Sequence, residues 1–172
     1  SEQEASRFLA KKKNAKIIAA ATDLGVQINK RKTRLPNALS LHLIKKLYSI
    51  QKKKNRIFVG SRATLTDLRR SLENAVPELS KYLDIFASPQ IKNNATLIGN
   101  IANASPIAEM PPFLLVSNAR VFVRSQNKKR ILLIRDFYKG YRLTALNSGE
   151  WIEGVDFEVP SAKEHLALIK VS

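Results

Sequence analysis

The sequence predicts an α+β protein, on three observations. Helical apolar periods are intermixed with short β-branched runs, several of those runs are joined in pairs across polar turns suited to antiparallel hairpins, and no internal repeat or low-complexity linker interrupts the order. The chain has 172 residues, 44% hydrophobic and 26% charged, ordinary for one globular domain or for two small lobes sharing a core.

The elements follow in order. SEQEASRFLAKKK reads as a helix in which Ser1 is the N-cap, Glu4 completes a capping box, Ala5, Phe8 and Leu9 share one face, and the basic last turn suits the helix dipole. AKIIAAA, residues 15–21, is a short buried strand, and TDLGVQINK turns from it into a helix capped by Thr22 or Asp23. Such a strand–loop–helix is a common place for an anionic ligand. NALSLHL alternates in polarity, and KLYSIQKKKNRIFVGS reads as two strands joined by a Lys-Lys-Lys-Asn turn.

Two amphipathic helices come next. TLTDLRRSLENA sets Leu65, Leu68 and Leu72 on one face with Thr64 or Thr66 as cap, and PELSKYLDIFA starts on Pro77 and aligns Leu79, Tyr82, Leu83 and Phe86. PPFLLVSNA is a short buried helix, and RVFVRSQNKKRILLIR is a hairpin that turns at residues 126–129. DFYKGYRLTALNSGEWI is loop-rich, and GVDFEVPSAKEHLALIKVS supplies two final strands.

Several chemistries are excluded by composition. The chain has no Cys, so it carries no disulfide, thiolate zinc site, iron–sulfur ligation or Cys nucleophile, and its two His residues, His42 and His165, have no acidic cluster beside them in sequence. Paired carboxylates, a Ser-His-Asp set and a Walker loop are all missing, which leaves binding as the expected task. No apolar run approaches the roughly 18 residues of a membrane helix, and the N-terminus lacks the order of a signal peptide. A soluble, cytoplasmic protein without membrane contact is expected. The sole Met is Met110, so the chain has either lost an initiator Met or is a piece of something longer.

The net charge of +16 is concentrated, because residues 24–66 hold eleven basic residues and no acidic one. The basic residues are Lys30, Arg31, Lys32, Arg34, Lys45, Lys46, Lys52, Lys53, Lys54, Arg56 and Arg62. Only Tyr48 and Phe58 are aromatic there, few for a single-strand nucleic-acid binder, so a basic nucleic-acid-binding module stands as an alternative to a solvated face or an acidic partner. In contrast, ATLIGNIANASPIAEMPP, residues 95–112, has one charge, Glu109, among small residues, Asn and Ser. That segment and AATDLG offer backbone N–H groups, hydroxyls and amides at close range, as a phosphate-bearing ligand requires.

The segments AKIIAAATDLGVQ, GSRATLTDLRRSLENAVPELSKYLDIFASPQIKNNATLIGNIANASPIAEMPPFLLVSNARVFVRS and DFYKGYRLTALNSGEWI together resemble the FAD-binding domain of the molybdenum hydroxylase family, most of all the flavin domain of bacterial xanthine dehydrogenase-like small subunits. The resemblance covers nearly the whole chain. It implies a two-lobed α+β domain of mixed and antiparallel sheets with flanking helices: residues 1–60 as one lobe, 61–160 as the second, and 161–172 as the start of a truncated C-terminal region. It also implies an electron-transfer role, in which FAD receives electrons from iron–sulfur clusters and passes them to NAD, with molybdopterin and the clusters on other domains or subunits.

By position, the resemblance lays Ile17, Ile18, Ala19, Ala20, Ala21, Thr22, Asp23 and Leu24 along the pyrophosphate and its neighbouring groups. It sets Phe86 and Ala87 beside the flavin, and makes Ala95, Thr96, Gly99 and Asn100 a second phosphate loop with Ser105 behind it. Glu109 would bond the ribityl chain, and Ile152 and Lys170 would cover the flavin ring. The chain departs from the family pattern at Ala20, Ala21 and Ile98, where glycine is usual, at Glu109, usually Asp, and at Leu143, usually Lys. An Ala in the left-handed region costs on the order of 1 kcal/mol and an Ile there would be an outlier, so either these backbones stay out of that region or the phosphate path is altered. The alternative consequence is a domain that keeps the fold and has lost the flavin.

Overall fold

The computed structural model describes residues 1–32 and 34–170, so Thr33 of the basic stretch and the last two residues of the expected LIKVS strand lie outside the described residues. Helix α1 (Glu2–Lys11) starts as its sequence dictates, with both halves of the Ser1/Glu4 capping box formed. Strand β1 (Lys16–Ile18) leads through a loop into α2 (Leu24–Arg31) and returns in β2 (Ala38–Ser40), which pairs with β1 in parallel. The buried strand expected over residues 15–21 is thus shorter and only half covered. A two-stranded sheet flanked on one side offers little burial, and Ala19–Ala21 leave it as loop.

After a 3₁₀ turn (Lys45–Tyr48) the chain forms the hairpin β3 (Ile50–Lys53) and β4 (Arg56–Gly60). Helices α3 (Leu65–Leu72), α4 (Pro77–Asp84), α5 (Pro89–Lys92), α6 (Leu97–Ala102) and α7 (Met110–Val116) follow. Thr64 caps α3 in a capping box with Asp67, and Pro77 opens α4 at its first turn. The helical stripe of α4 stops at Leu83, and Phe86 packs from the loop beyond it. A second hairpin, β5 (Arg120–Arg124) and β6 (Lys129–Leu133), precedes α8 (Ile134–Phe137), the small pair β7 (Tyr138–Gly140) and β8 (Leu143–Thr144), and β9 (Trp151–Glu158). The expected pair of final strands resolves to β9 alone; residues 161–170 carry no strand, and Leu166 and Leu168 use their apolar side chains against the core instead.

The main sheet is antiparallel with order β3-β4-β9-β5-β6, so the last strand in the chain sits at its centre. The β4–β9 ladder includes Gly60 opposite Gly154 and so joins residues on both sides of the division expected at residue 60. The inner face, with Ile57, Val59, Val121, Val155 and Phe157, packs on Leu65, Leu68, Leu79, Leu97, Phe113 and their neighbours from the helices. The Phe113 and Phe157 rings meet edge to face at 5.1 Å.

A second, smaller core gathers Ala5, Leu9, Leu41 and Leu47 around Trp151. A register shift between Phe122 and Val123 leaves Glu153 as an extra residue in β9. Adjacent Trp151 and Ile152 are both buried, Trp151 in the small core and Ile152 in the large one. Trp151 Nε1 donates to Ser6 Oγ at 2.9 Å, and Arg124 bonds Glu2 at 2.9 Å while also pairing with Glu153, so α1 is fastened to the main sheet.

The outer face of the sheet centres on Asp156, 5% exposed. Arg56 and Arg120 both donate to its carboxylate, at 2.9–3.0 Å and 2.5–2.9 Å, and Arg56 also reaches Glu158 at 2.7 Å. Burial alone would push the Asp156 carboxyl up; the hydrogen bonds from Arg120 and Arg56 outweigh it and hold the group below its ordinary value.

Asp156→Ala leaves Arg120 without its ion-pair partner and Arg56 with Glu158 alone, and should cost about 2–3 kcal/mol in a urea melt. Because the folded-state carboxyl lies below its unfolded value of about 3.9, its contribution is complete above that pH and disappears as pH falls through the folded value. Melts over an acid series should therefore show a steeper loss of stability in the wild type than in Asp156→Asn.

Candidate functional site

A cleft of about 620 Å³ opens between the β1–α2 loop on one side and α6, Phe86 and the tip of the β7–β8 pair on the other. Its first wall is the main chain of Ala19–Leu24. Gly25 N–H is taken by Ala21 C=O at 2.7 Å and Gln27 N–H by Asp23 C=O at 3.1 Å, whereas the N–H groups of Ala20 to Leu24 meet no acceptor among the described residues. The loop is bent by Ala21, at φ +60°. The side-chain cap expected from Thr22 or Asp23 is not made. Asp23 occupies the N-cap position but its carboxylate accepts from Gln27 Nε2 at 2.5 Å, one turn on, which keeps the helix-start N–H groups open. Consecutive free N–H groups ahead of a helix form a concave donor set for an anion.

The second wall is α6. Thr96 caps it, its Oγ1 accepting from Gly99 N–H at 2.9 Å, and an isolated bridge ties Thr96 to Thr64. A Cβ at Gly99 would sit 3.1 Å from that oxygen, so glycine lets the helix close tightly on its cap. Asn100 lines the cleft and its Oδ1 is buried with no hydrogen-bond partner among the described residues. Beyond α6, Tyr138 donates to Ile101 C=O at 3.3 Å, and burial pushes its hydroxyl up to about 12.

The departures from the family pattern resolve separately. Ala21 takes the left-handed conformation and Ala20 does not. Ile98 is helical and 5% exposed, its side chain in the main core; no left-handed backbone exists there to require glycine.

Of the residues expected at the site, Ile17, Ala19, Ala20, Ala21, Thr22, Asp23, Leu24, Phe86, Ala95, Thr96, Gly99 and Asn100 line this one cleft. Ile152 lines an adjoining apolar recess of about 100 Å³, which shares Ile17, Ala19, Gly99 and Ala102 with the cleft and is also lined by Ser61, whose buried Oγ has no partner among the described residues. Ile18, Ala87, Ser105, Glu109 and Lys170 do not line the cleft. Ile18 pairs with Ser40 in the small sheet, and Ser105 Oγ accepts from Ile107 N–H at 3.4 Å. Glu109 and Lys170 pair with each other at 2.9 Å, and Lys170 Nζ also donates to the Ile85 and Phe86 carbonyls at 3.2 Å. Burial raises the nearby Tyr82 hydroxyl and the charge of Glu109 adds to it.

Gln27, Ile91, Asn103 and Arg142 also line the cleft, and none stood out in the sequence. Arg142, at φ +51° on the β7–β8 tip, lines the cleft from a segment forty residues beyond the end of α6, its guanidinium carbon 5.9 Å from the centre of the Tyr141 ring. The GYR triplet around it was the available signal.

A two-layer α+β body with a cleft of backbone donors, small side chains and one buried amide oxygen is suited to an anionic ligand. The chain belongs to the family described as the FAD binding domain in molybdopterin dehydrogenase, whose model matches residues 1–162. It is 31% identical to a xanthine dehydrogenase/oxidase of Gallus gallus over 88% of this chain and 12% of that protein. It superimposes with a TM-score of 0.88 on quinoline 2-oxidoreductase from Pseudomonas putida 86, at 28% identity, over 94% of this chain and 57% of that one. A carbon monoxide dehydrogenase chain from Hydrogenophaga pseudoflava gives the same score at 22% identity, a likeness of fold. The chain thus spans about an eighth of its curated relative and a little over half of the solved chains.

The two departures should respond oppositely to glycine. Ala21→Gly relieves a left-handed Ala and should raise stability by up to about 1 kcal/mol, part of it offset by the freer unfolded chain. Ile98→Gly empties a core site inside a helix and should cost roughly 3–5 kcal/mol. Thermal melts of the two variants check both signs.

Proposed function

We propose that this chain is the FAD-binding electron-transfer domain of a xanthine dehydrogenase-like molybdenum hydroxylase. The observation that carries the reading is that Ala20 to Leu24, whose N–H groups meet no acceptor among the described residues, line a cleft whose other wall holds Gly99 and the unpartnered Asn100 Oδ1. FAD bound there would supply the hydride and single-electron chemistry, while the protein binds, orients and shields. The loop N–H groups and the Arg142 guanidinium would hold the pyrophosphate. Asn100 Oδ1 would accept from a ligand hydroxyl or imide, and its burial makes a lost partner costly. Phe86 would flank the ring system, with the Glu109–Lys170 pair and Ala87 outside it, Ser105 behind α6, and Ile152 at the floor of the adjoining recess. One wall is drawn from residues 16–27 and the other from residues 65–142.

In this reading the electrons come from iron–sulfur clusters, and before them from a molybdopterin site, on other domains or subunits, and leave to NAD in the cytoplasm. The description of the matched family, a molybdopterin dehydrogenase, supports the molybdopterin part of that reading.

Adding FAD to the purified protein should produce a flavin absorption spectrum that survives desalting and that NADH bleaches. A protein that stays colourless after incubation with FAD would refute the proposal. Asn100→Asp, nearly isosteric, places a charge and removes no volume; it should weaken FAD binding by roughly tenfold or more in a fluorescence titration.

A further inference from the structure

We propose that Arg62 is the positioning residue that shapes the Ala19–Leu24 loop for the pyrophosphate, an inference that rests on the function proposed above. Arg62 lies in the tight turn between β4 and α3. Its backbone is fixed first: its N–H donates to Leu47 C=O at 2.8 Å, with Ser61 N–H on Glu153 C=O at 2.9 Å and Ala63 N–H on Gly60 C=O at 3.1 Å. A Cβ on Gly60 would run into the Leu47 carbonyl, so this close approach depends on glycine.

From that anchored turn the half-buried side chain reaches across and donates through Nη1 to the carbonyl of Ala19. Nε and Nη2 donate to Tyr48 Oη, both at 3.3 Å, the guanidinium carbon stands 5.2 Å from the Tyr48 ring centre, and Tyr48 Oη in turn donates to His42 C=O at 3.1 Å. All three nitrogens of the fork are therefore committed, which fixes the plane of the guanidinium as well as its position.

The consequence is geometric. In a trans peptide the C=O and the following N–H point in opposite directions. Holding Ala19 C=O toward Arg62 turns the N–H of Ala20, the first of the unpartnered donors, away from Arg62, and it sets the entry to the left-handed bend at Ala21. With Arg62 absent this peptide is free to rotate and to present its carbonyl oxygen where an anion would bind. A lysine keeps the charge but not the fork, so the two effects can be separated.

FAD and ADP, which share the pyrophosphate, are titrated against the wild type, Arg62→Ala and Arg62→Lys, with thermal melts to establish folding. Both ligands should bind roughly tenfold more weakly to Arg62→Ala, most of the loss should persist in Arg62→Lys, and millimolar methylguanidinium should restore binding to Arg62→Ala. Affinities within about twofold of wild type in folded Arg62→Ala, full retention in Arg62→Lys, or a loss that methylguanidinium leaves untouched would each overturn the assignment. Should Arg62→Ala fail to fold, Tyr48→Phe, which removes one acceptor of the fork, should weaken FAD and ADP alike by a few fold, and unchanged binding there would overturn it as well. A wild type that binds neither ligand would strike at the proposed function itself, whereas a wild type that binds both beside unaffected variants strikes at Arg62 alone.

Discussion

The structure depends on β9 being buried on both sides. It is the central strand of the main sheet; strand alternation points two neighbouring residues into opposite cores, and the bulge at Glu153 sets which is which, Ile152 toward the helices and Trp151 toward α1 and the small sheet. A Trp and its covering residues remove a large apolar area from water, which makes the small core a consequence of the large one. Without Trp151 the βαβ unit that carries the first loop would rest on three short elements and a few ion pairs. The cleft exists because one strand fixes both of its walls.

Most helices were legible because their signals are local. Ser1 and Glu4, Thr64 and Asp67, and Pro77 each specify a helix start within four residues, and each start is where the sequence places it. The hairpins were legible from polar turns between apolar runs. The strand over residues 15–21 and the pair of final strands were not, since both readings took apolar content as evidence for hydrogen-bonded pairing. Ala19–Ala21 lacks a neighbouring strand edge, and Leu166 and Leu168 bury their side chains without joining one.

The candidate site divides the same way. Ala19 to Leu24, with Thr96, Gly99 and Asn100, are legible from loop chemistry and family resemblance, and they converge on one cleft. Side-chain partnerships across long separations are not. Arg62 on Ala19, Glu109 on Lys170 and Arg142 at the mouth join segments tens of residues apart, and no local pattern marks them. At Ile98, where glycine is usual, the first of the two alternatives holds: the backbone stays out of the left-handed region, and the helix and core around it have room for a branched side chain.

The bent loop has a kinetic meaning. Its left-handed residue and its exposed donors are already held by contacts within the protein, so a ligand meets a surface that needs no ordering on arrival. Loss of the supporting contacts would return that ordering step to the encounter, so capture should slow as well as release quicken.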